Sequence, residues 1–326
     1  MTSQKAVFHS LKRYPLMLLV VIGILSALYV KVLLDYNQSA HLGMSLLFGL
    51  ACGTLLWERR ASLSLSRNYR EFVLGILGVI LTLAMGFFLL HRDLGQAGNP
   101  LNLQQQPGIN ALMRMIPVSG GFAVVLLAAG WLGLRQFWRE LAILLALGLP
   151  GTLSAFVADI SPLTARFSTS LLWYSGFDVV RDGLLIYLEG GGVEVYYGCS
   201  GIESVSYVLG LSILCLIMFP LKSFMRYWVP LIGMAIGFVV NGIRVALMAL
   251  LVASGDKAAF DYWHTGDGSL IFGLIAVVAF GAFYMAVQTL EQRQQRLGQT
   301  VSMPQYSASP EMTPDLLAFL EADDDN

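Results

Sequence analysis

Eight long apolar runs dominate this sequence and restrict it to folds that a lipid bilayer can hold. A helix that crosses the roughly 30 Å hydrocarbon core needs about 17–25 mostly apolar residues. Only 13% of the residues are charged, about half the fraction found in soluble domains, so a soluble globule could not cover this apolar surface. We therefore predict an all-α polytopic membrane protein with about eight transmembrane helices. The predicted spans are residues 15–34, 41–57, 71–90, 115–134, 140–157, 200–220, 228–252 and 268–288, of which the second and fifth are short.

The lysines and arginines of the predicted loops indicate the orientation of the chain. In an eight-span chain, 13 of the 20 basic residues fall in loops and termini on one side of the membrane. Cytoplasmic loops carry an excess of Lys and Arg, so we predict that this side and both termini are cytoplasmic. The 13 residues are Lys5, Lys12, Arg13, Arg59, Arg60, Arg67, Arg70, Arg135, Arg139, Lys222, Arg226, Arg293 and Arg296.

The longest predicted external segment, residues 158–198, contains elements that do not span the membrane. Residues 164–177 mix apolar and polar side chains, a pattern typical of a helix that lies in the membrane interface. Residues 183–188 and 193–197 are short β-prone runs around a glycine-rich turn, which predicts a β-hairpin. This hairpin would end immediately before Cys199 and could present an edge to an extended peptide. The alternative is an irregular glycine loop.

The predicted spans divide the chain into three regions. Residues 1–157 form an N-terminal membrane region with five spans, and residues 158–290 hold the external segment and three further spans. Residues 291–326 contain three prolines and end in a run of acidic residues, a composition that favours a flexible cytoplasmic tail.

A cysteine between glycines stands at the predicted external start of the sixth span. Gly198 and Gly201 flank Cys199 and Ser200, which leaves the backbone near the sulfur open to a substrate carbonyl. A helix N-terminus favours thiolate over thiol, and its N–H groups are potential oxyanion donors. Cys199 is therefore a candidate nucleophile. The alternative is a structural cysteine at the membrane interface.

An arginine lies inside the seventh apolar run. Arg244 is placed roughly two-thirds of the way across the membrane, where a guanidinium costs a few kcal/mol and is expected to face the interior of the helix bundle. Asn241 precedes it by one turn and shares its helix face. We predict a functional role for Arg244. A structural ion pair and an arginine that snorkels to the surface are the alternatives.

A histidine precedes the eighth span in a predicted external loop. The imidazole of His264 can act as a general base or acid near neutral pH, and Asp261 and Asp267 lie close to it in the sequence. His41 and His91 are also predicted to be external and compete for this role. A lone loop histidine without a function is the alternative.

The three candidates fall at or near the external ends of consecutive spans. Spans with short connections can pack as neighbours, so we expect Cys199, Arg244 and His264 to lie within reach of one another. Together they predict a cysteine-nucleophile site on a membrane scaffold.

These residues resemble the motifs of the exosortase/archaeosortase family of polytopic membrane cysteine proteases. The family carries a Cys-Ser-Gly motif, an Asn-Gly-x-Arg motif and a later His, which stand here as Cys199-Ser200-Gly201, Asn241-Gly242-Ile243-Arg244 and His264. The resemblance covers about 160–290. Gly-Cys-Ser-Gly-Ile-Glu and Trp-His-Thr-Gly-Asp-Gly-Ser are similar to the cyanobacterial subgroup, the cyanoexosortases. The acidic C-terminal tail matches no feature of the family.

The resemblance implies a protease or transpeptidase in the bacterial plasma (inner) membrane, with residues 158–290 as its catalytic region. Its partners would be exported proteins whose C-terminal signal consists of a Pro-Glu-Pro-like motif, a transmembrane helix and a basic end. Cys199 would attack the scissile carbonyl to form a thioester at the extracytoplasmic face. His264 would act as acid and base, and Arg244 would stabilise the oxyanion or hold the geometry.

A second function from another class also fits the sequence. A non-enzymatic transporter or membrane scaffold would use Arg244 to bind an anionic solute. A zinc protease or an intramembrane serine protease is less favoured, because the sequence contains no His-Glu-x-x-His motif. We expect no cofactor and no metal, and contacts with membrane lipids rather than nucleic acid, since no block of basic residues is present.

Overall fold

The computed structural model of the protein describes residues 2–59, 68–92, 107–154, 159–264 and 268–301. Within these ranges the chain is mostly helical, with one small sheet. The helices are α1 (Thr2–Asp35), α2 (Ser39–Arg59), α3 (Tyr69–His91), α4 (Pro107–Gln136), α5 (Trp138–Leu153), α6 (Ser161–Tyr174), α7 (Ile202–Met218), α8 (Val229–Ala253), α9 (Lys257–His264) and α10 (Gly268–Val301). The strands are β1 (Val179–Asp182), β2 (Leu185–Leu188) and β3 (Gly191–Glu194).

Seven of these helices are long and apolar enough to cross a membrane: α1 to α4, α7, α8 and α10. They coincide with seven of the eight predicted spans, so the prediction of an all-α polytopic membrane protein is confirmed. The predicted fifth span corresponds to α5, which has 16 residues and is about 24 Å long. That length is below the roughly 30 Å of the hydrocarbon core. Residues 155–158, where this span was predicted to end, lie outside the described residues.

Small residues allow the helices to approach closely, as is common between membrane helices. A Cβ atom added to Gly210 of α7 would lie 2.5 Å from the carbonyl oxygen of Ala146 in α5. A Cβ atom on Gly237 of α8 would lie 2.9 Å from the carbonyl oxygen of Ser204 in α7. These contacts leave room for glycine only, so α7 is held between α5 and α8.

The predicted external segment folds against α8. The predicted helix over residues 164–177 is confirmed as α6, which begins three residues earlier and ends at Tyr174. Its buried residues Ala165 and Leu172 share one apolar cluster with Val245 and Ala249 of α8. The helix therefore packs on the bundle through one face, and its position at a membrane interface remains a prediction.

The predicted hairpin is confirmed and has an additional strand. Strands β2 and β3 pair in antiparallel register, with Leu188 opposite Gly191 and Leu185 opposite Glu194. Strand β1 pairs with the other edge of β2, in the order β1-β2-β3. The alternative of an irregular glycine loop is wrong. The prediction that the hairpin ends immediately before the cysteine is also wrong, because β3 ends at Glu194 and a 3₁₀ turn, Tyr197–Cys199, follows it.

The chain divides into a compact unit that ends at Ala286 and a second unit that begins at Val287. In the second unit the described residues continue α10 as far as Val301. The first residues of the predicted tail, 291–301, are therefore helical. The remainder, residues 302–326, lies outside the described residues, and the three-region division stays a prediction.

Candidate active site

The backbone around the candidate nucleophile is fixed by a left-handed glycine. Cys199 closes the 3₁₀ turn, and Gly201 has φ +88° directly before α7. Glycine is the residue that adopts this conformation without steric cost. A Cβ atom on Gly201 would also lie 2.5 Å from Nδ2 of Asn241. The Cys-Ser-Gly and Asn-Gly-x-Arg motifs therefore meet, and the glycine is needed both for the turn and for this contact.

The position of Cys199 corrects one prediction. The cysteine was expected in the first turn of a helix, where the helix dipole favours a thiolate. Helix α7 begins only at Ile202, and the dipole effect falls off beyond the first turn. Activation of the thiol must therefore come from neighbouring side chains.

The nearest basic group is the imidazole of His264. Its Nε2 atom lies 3.5 Å from Cys199 Sγ. His264 is the last residue of the short helix α9, whereas the sequence predicted a loop. One turn earlier in α9, the ring of Phe260 stacks on the imidazole with centroids 4.9 Å apart. The expected approach of the two residues is observed, and the helix holds the imidazole in place.

Two side chains of α8 donate hydrogen bonds to the backbone of the segments that carry Cys199 and His264. Asn241 Nδ2 donates a hydrogen bond to the Cys199 carbonyl at 3.0 Å. Arg244 Nη2 donates one to the His264 carbonyl at 2.8 Å. The two residues lie about one turn apart, so one helix face fixes both the nucleophile segment and the histidine segment.

Arg244 retains unused hydrogen-bonding capacity. Its Nε atom is buried and has no hydrogen-bond partner within the described part of the chain. No carboxylate pairs with the guanidinium among the same residues, which argues against the alternative of a structural ion pair. A buried N–H without a partner is costly and is common where a ligand or reaction intermediate is to be bound.

Helix α6 supports the site through two hydroxyl groups that the sequence did not reveal. Thr164 Oγ1 donates a hydrogen bond to the Ser200 carbonyl at 2.6 Å, and Ser168 Oγ donates one to the Gly242 carbonyl at 2.8 Å. Thr164 and Ser168 are four residues apart and share one helix face. Two hydroxyl side chains four residues apart, in a segment that is otherwise partly apolar, are the sequence signal that could have identified Thr164 and Ser168.

Tyr196 is a further site residue that sequence reasoning missed. Its hydroxyl lies close enough to the thiol of Cys199 for each group to affect the ionisation of the other. Burial and the neighbouring Cys199 raise the pKa of Tyr196, against an opposing effect of Arg244. The hydroxyl therefore keeps its proton at neutral pH and can donate a hydrogen bond to sulfur.

The electrostatic surroundings favour the neutral imidazole. Burial lowers the pKa of His264 below its ordinary value of 6.5, the positive charge of Arg244 lowers it further, and Asp261 opposes both. Desolvation and a nearby cation both disfavour the protonated form. At neutral pH His264 can therefore accept a proton from the thiol. The other nearby carboxylate, Asp267, lies outside the described residues.

The thiol and the imidazole open into a cavity of about 240 Å³. One wall consists of residues 192–196, which are most of β3 and the two residues after it. The other wall is apolar, so an extended chain of mixed sequence could lie between the two walls. Its residues are Val245, Met248 and Val252 of α8 and Phe260 of α9.

The competing histidines lie elsewhere. His41 is completely buried, and its Nε2 atom lies 2.8 Å from the Tyr29 hydroxyl. The Nδ1 atom of His91 lies 3.0 Å from the Phe87 carbonyl. Both rings have polar partners away from Cys199, so His264 is the histidine that the fold brings to Cys199.

The sequence of this chain is similar to one family of known proteins. A family model described as transmembrane exosortase (Exosortase_EpsH) matches residues 36–281, about three quarters of the 326-residue chain. Neither a curated protein nor a solved structure matches it. The matched range contains Cys199, Arg244 and His264.

Proposed function

This chain belongs to the transmembrane exosortase family, and we propose that it is a membrane-embedded cysteine protease or transpeptidase that processes the C-terminal sorting tail of exported proteins. The expected tail has a Pro-Glu-Pro-like motif, a transmembrane helix and a basic end. The observation that carries the proposal is the 3.5 Å separation of Cys199 Sγ and His264 Nε2 at the end of a cavity. Membership in the cyanobacterial subgroup remains a prediction.

Acylation begins with a proton transfer within this pair. His264 Nε2 takes the thiol proton of Cys199, and the sulfur attacks the carbonyl carbon of the scissile peptide bond. The tetrahedral intermediate collapses when the C–N bond breaks. The departing amine takes the proton from His264, and the upstream part of the substrate remains bound to Cys199 as a thioester.

Arg244 supplies positive charge where the oxyanion develops. Its Nη2 atom is bound to the His264 carbonyl, whereas its Nε–H is unpaired within the described residues. The charge of Arg244 acts on both Cys199 and His264, and a donor held beside the reacting pair in advance would stabilise the developing charge without reorganisation. The Tyr196 hydroxyl lies near the sulfur and is a second potential donor next to the reacting atoms.

Deacylation determines whether the product is hydrolysed or transferred. A water molecule or an amine acceptor attacks the thioester carbon, His264 accepts the proton of this nucleophile, and the C–S bond breaks to restore the thiol. Both routes use the same three residues, so the enzyme is a protease with water and a transpeptidase with an amine.

The predicted orientation of the loops supports chemistry at the extracytoplasmic face. With α5 counted as the fifth of eight spans, as the sequence predicts, the basic residues of alternate loops favour cytoplasmic termini in the bacterial plasma membrane and Cys199 on the opposite side. A substrate that is exported but still held by its C-terminal helix would approach the site from that face.

Co-expression with a tagged tail substrate tests the proposal. Wild type should shorten the substrate, and Cys199→Ala should lose cleavage by on the order of 10³-fold or more, because the nucleophile is absent. Cys215→Ala, which removes another thiol from the same helix region, should cleave normally. If Cys199→Ser retains function whereas Arg244→Ala abolishes it, the anion transporter or scaffold is the better explanation.

A further inference from the structure

The free edge of β3 carries backbone groups that no neighbouring strand uses. The Val195 N–H donates a hydrogen bond to the Leu184 carbonyl at 3.0 Å. Hydrogen-bonded pairs alternate along an antiparallel ladder, so in the observed register Val193 also faces β2. The N–H and C=O groups of Gly192 and Glu194 therefore point to the other edge. Among the described residues, that edge has no strand partner.

The cavity that contains the Cys199 thiol follows this edge. All of residues 192–196 line it, together with Cys199 and His264. Successive side chains of a strand point to opposite faces of the sheet. A cavity that contacts five consecutive residues therefore lies beside the edge and not over one face. The unpaired strand edge and the candidate nucleophile share one cleft.

We propose that the substrate segment upstream of the scissile bond binds as an added strand along the free edge of β3. This inference rests on the proposed function and specifies how an extended peptide is held for cleavage. Main-chain hydrogen bonds with Gly192 and Glu194 supply affinity that does not depend on the substrate sequence. Side chains of the added strand alternate, so every second upstream residue faces the apolar wall of α8.

The direction of the added strand follows from the path of β3 along α8. A Cβ atom on Gly191, at the start of β3, would contact Val252, whereas the Cys199 carbonyl is bound by Asn241. The chain from β3 to Cys199 thus runs from the end of α8 towards its middle, over about 16.5 Å of helix. A tail whose transmembrane helix follows the scissile bond enters in the same direction. The added strand is therefore parallel to β3.

A proline at the free edge tests the pairing from the enzyme side. Glu194→Pro removes an N–H that β2 does not use, so the ladder survives. It should lower kcat/KM for tail cleavage about 3- to 10-fold, the effect of one lost hydrogen bond. Arg181→Pro, which removes an outward N–H at the opposite edge, should cleave like wild type, and Glu194→Thr, which changes the same side chain but keeps the N–H, should cleave faster than Glu194→Pro. Cleavage by Glu194→Pro at the rate of Arg181→Pro would overturn the pairing.

Backbone methylation tests the pairing from the substrate side and does not perturb the fold of the enzyme. Synthetic tail peptides with one N-methylated amide at successive upstream positions are added to vesicles that carry the full-length protein. An added strand predicts an alternating pattern, because every second amide faces β3 and its methylation should slow cleavage about 3- to 10-fold. A flat response contradicts the added strand. If wild type cleaves none of the peptides, including the unmethylated one, the proposed function itself fails.

Discussion

Two arginine-centred polar clusters lie inside the helix bundle, and they differ in how completely their hydrogen bonds are satisfied. The site cluster consists of Cys199, Asn241, Arg244 and His264. The Arg114 cluster consists of Tyr29, His41, Arg114, Glu203 and Tyr207. Both place a guanidinium in an apolar setting, where it is costly unless it has partners.

All three nitrogen atoms of the Arg114 guanidinium have a polar partner. Nη2 donates to Glu203 Oε1 at 2.8 Å, and Nε donates to Asn110 Oδ1 at 2.9 Å. Nη1 lies 3.4 Å from His41 Nδ1. The Tyr207 hydroxyl donates to the same Glu203 oxygen at 2.7 Å. This network joins α2, α4 and α7, and we assign it to the stability of the bundle.

The hydrogen-bonding groups of the site cluster are less completely paired. Arg244 makes a single hydrogen bond, to a backbone carbonyl, and its buried Nε–H has no hydrogen-bond partner in the described parts of the chain. The Cys199 and His264 side chains face a cavity. A network in which every hydrogen-bonding group has a partner contributes to folding. A network with an unpaired donor is able to bind a substrate or an oxyanion. The contrast therefore predicts separate effects on stability and on activity.

Apart from removal of the nucleophile itself, the largest effect should come from Arg244→Ala. Loss of an oxyanion donor typically lowers kcat by about 10²–10³-fold, and few contacts are lost from the folded state. We expect tail cleavage to fall by that amount while the thermal midpoint of the purified protein in detergent changes little. Arg244→Lys should also be impaired, because it lacks the planar fork and the Nε–H. A variant that cleaves normally but unfolds early would reverse the assignment of the two clusters.

The sequence alone predicted only part of this difference between the two clusters. Apolar runs predicted eight spans, of which seven coincide with helices long enough to cross a membrane, and short connections between spans predicted that Cys199, Arg244 and His264 would meet. Arg114 was missed because it directly precedes the predicted fourth span, and its burial depends on the helices that surround it. The 16-residue length of α5 was also missed, since hydropathy does not mark where a helix ends.

The finer parts of the site depend on conformation and not on residue pattern. The left-handed backbone of Gly201 and its contact with Asn241 become evident only once α7 and α8 are packed together. Strand β1 is short and half polar, so periodicity gave no signal for it. Tyr196 was missed because its contact with Cys199 is made across the 3₁₀ turn.

Arg114→Met should show the opposite behaviour to Arg244→Ala. The substitution introduces an apolar side chain of comparable length but leaves Asn110 without its donor and Glu203 without its ion-pair partner. We expect destabilisation of about 2 kcal/mol, seen as a lower thermal midpoint in detergent. The cleavage rate of the fraction that remains folded should stay within a fewfold of wild type. A loss of activity without a loss of stability would place Arg114 in the active site.

The pH dependence of cleavage should reflect the surroundings of His264. Burial and Arg244 lower the pKa of its imidazole below 6.5, and the neutral form is the proton acceptor. Activity should therefore persist as the pH falls to 6.5 and decline only at lower pH. In Arg244→Gln the residual activity should decline at a higher pH, because a positive charge that disfavours protonation is removed. If the activity of the wild type fell to half at a pH above 6.5 on acidification, the lowered pKa of His264 would be contradicted.

The smallest expected effect is that of Tyr196→Phe. The variant loses the hydroxyl that can donate to sulfur and keeps the aromatic ring, so cleavage should fall about 3- to 10-fold, the effect of one hydrogen bond. Tyr187→Phe, an exposed tyrosine on the neighbouring strand, is the matched control and should behave like wild type. Equal rates for both variants would remove Tyr196 from the site cluster.

Trapping of the acyl-enzyme tests the central claim most directly. Wild-type protein mixed with a tail peptide and denatured rapidly should carry the upstream fragment on Cys199, as a mass increase that hydroxylamine removes. The Cys199→Ala variant should show no adduct and no cleavage. Cleavage of the tail without any thioester on Cys199, or undiminished cleavage by Cys199→Ala, would contradict the assignment of this thiol as the nucleophile.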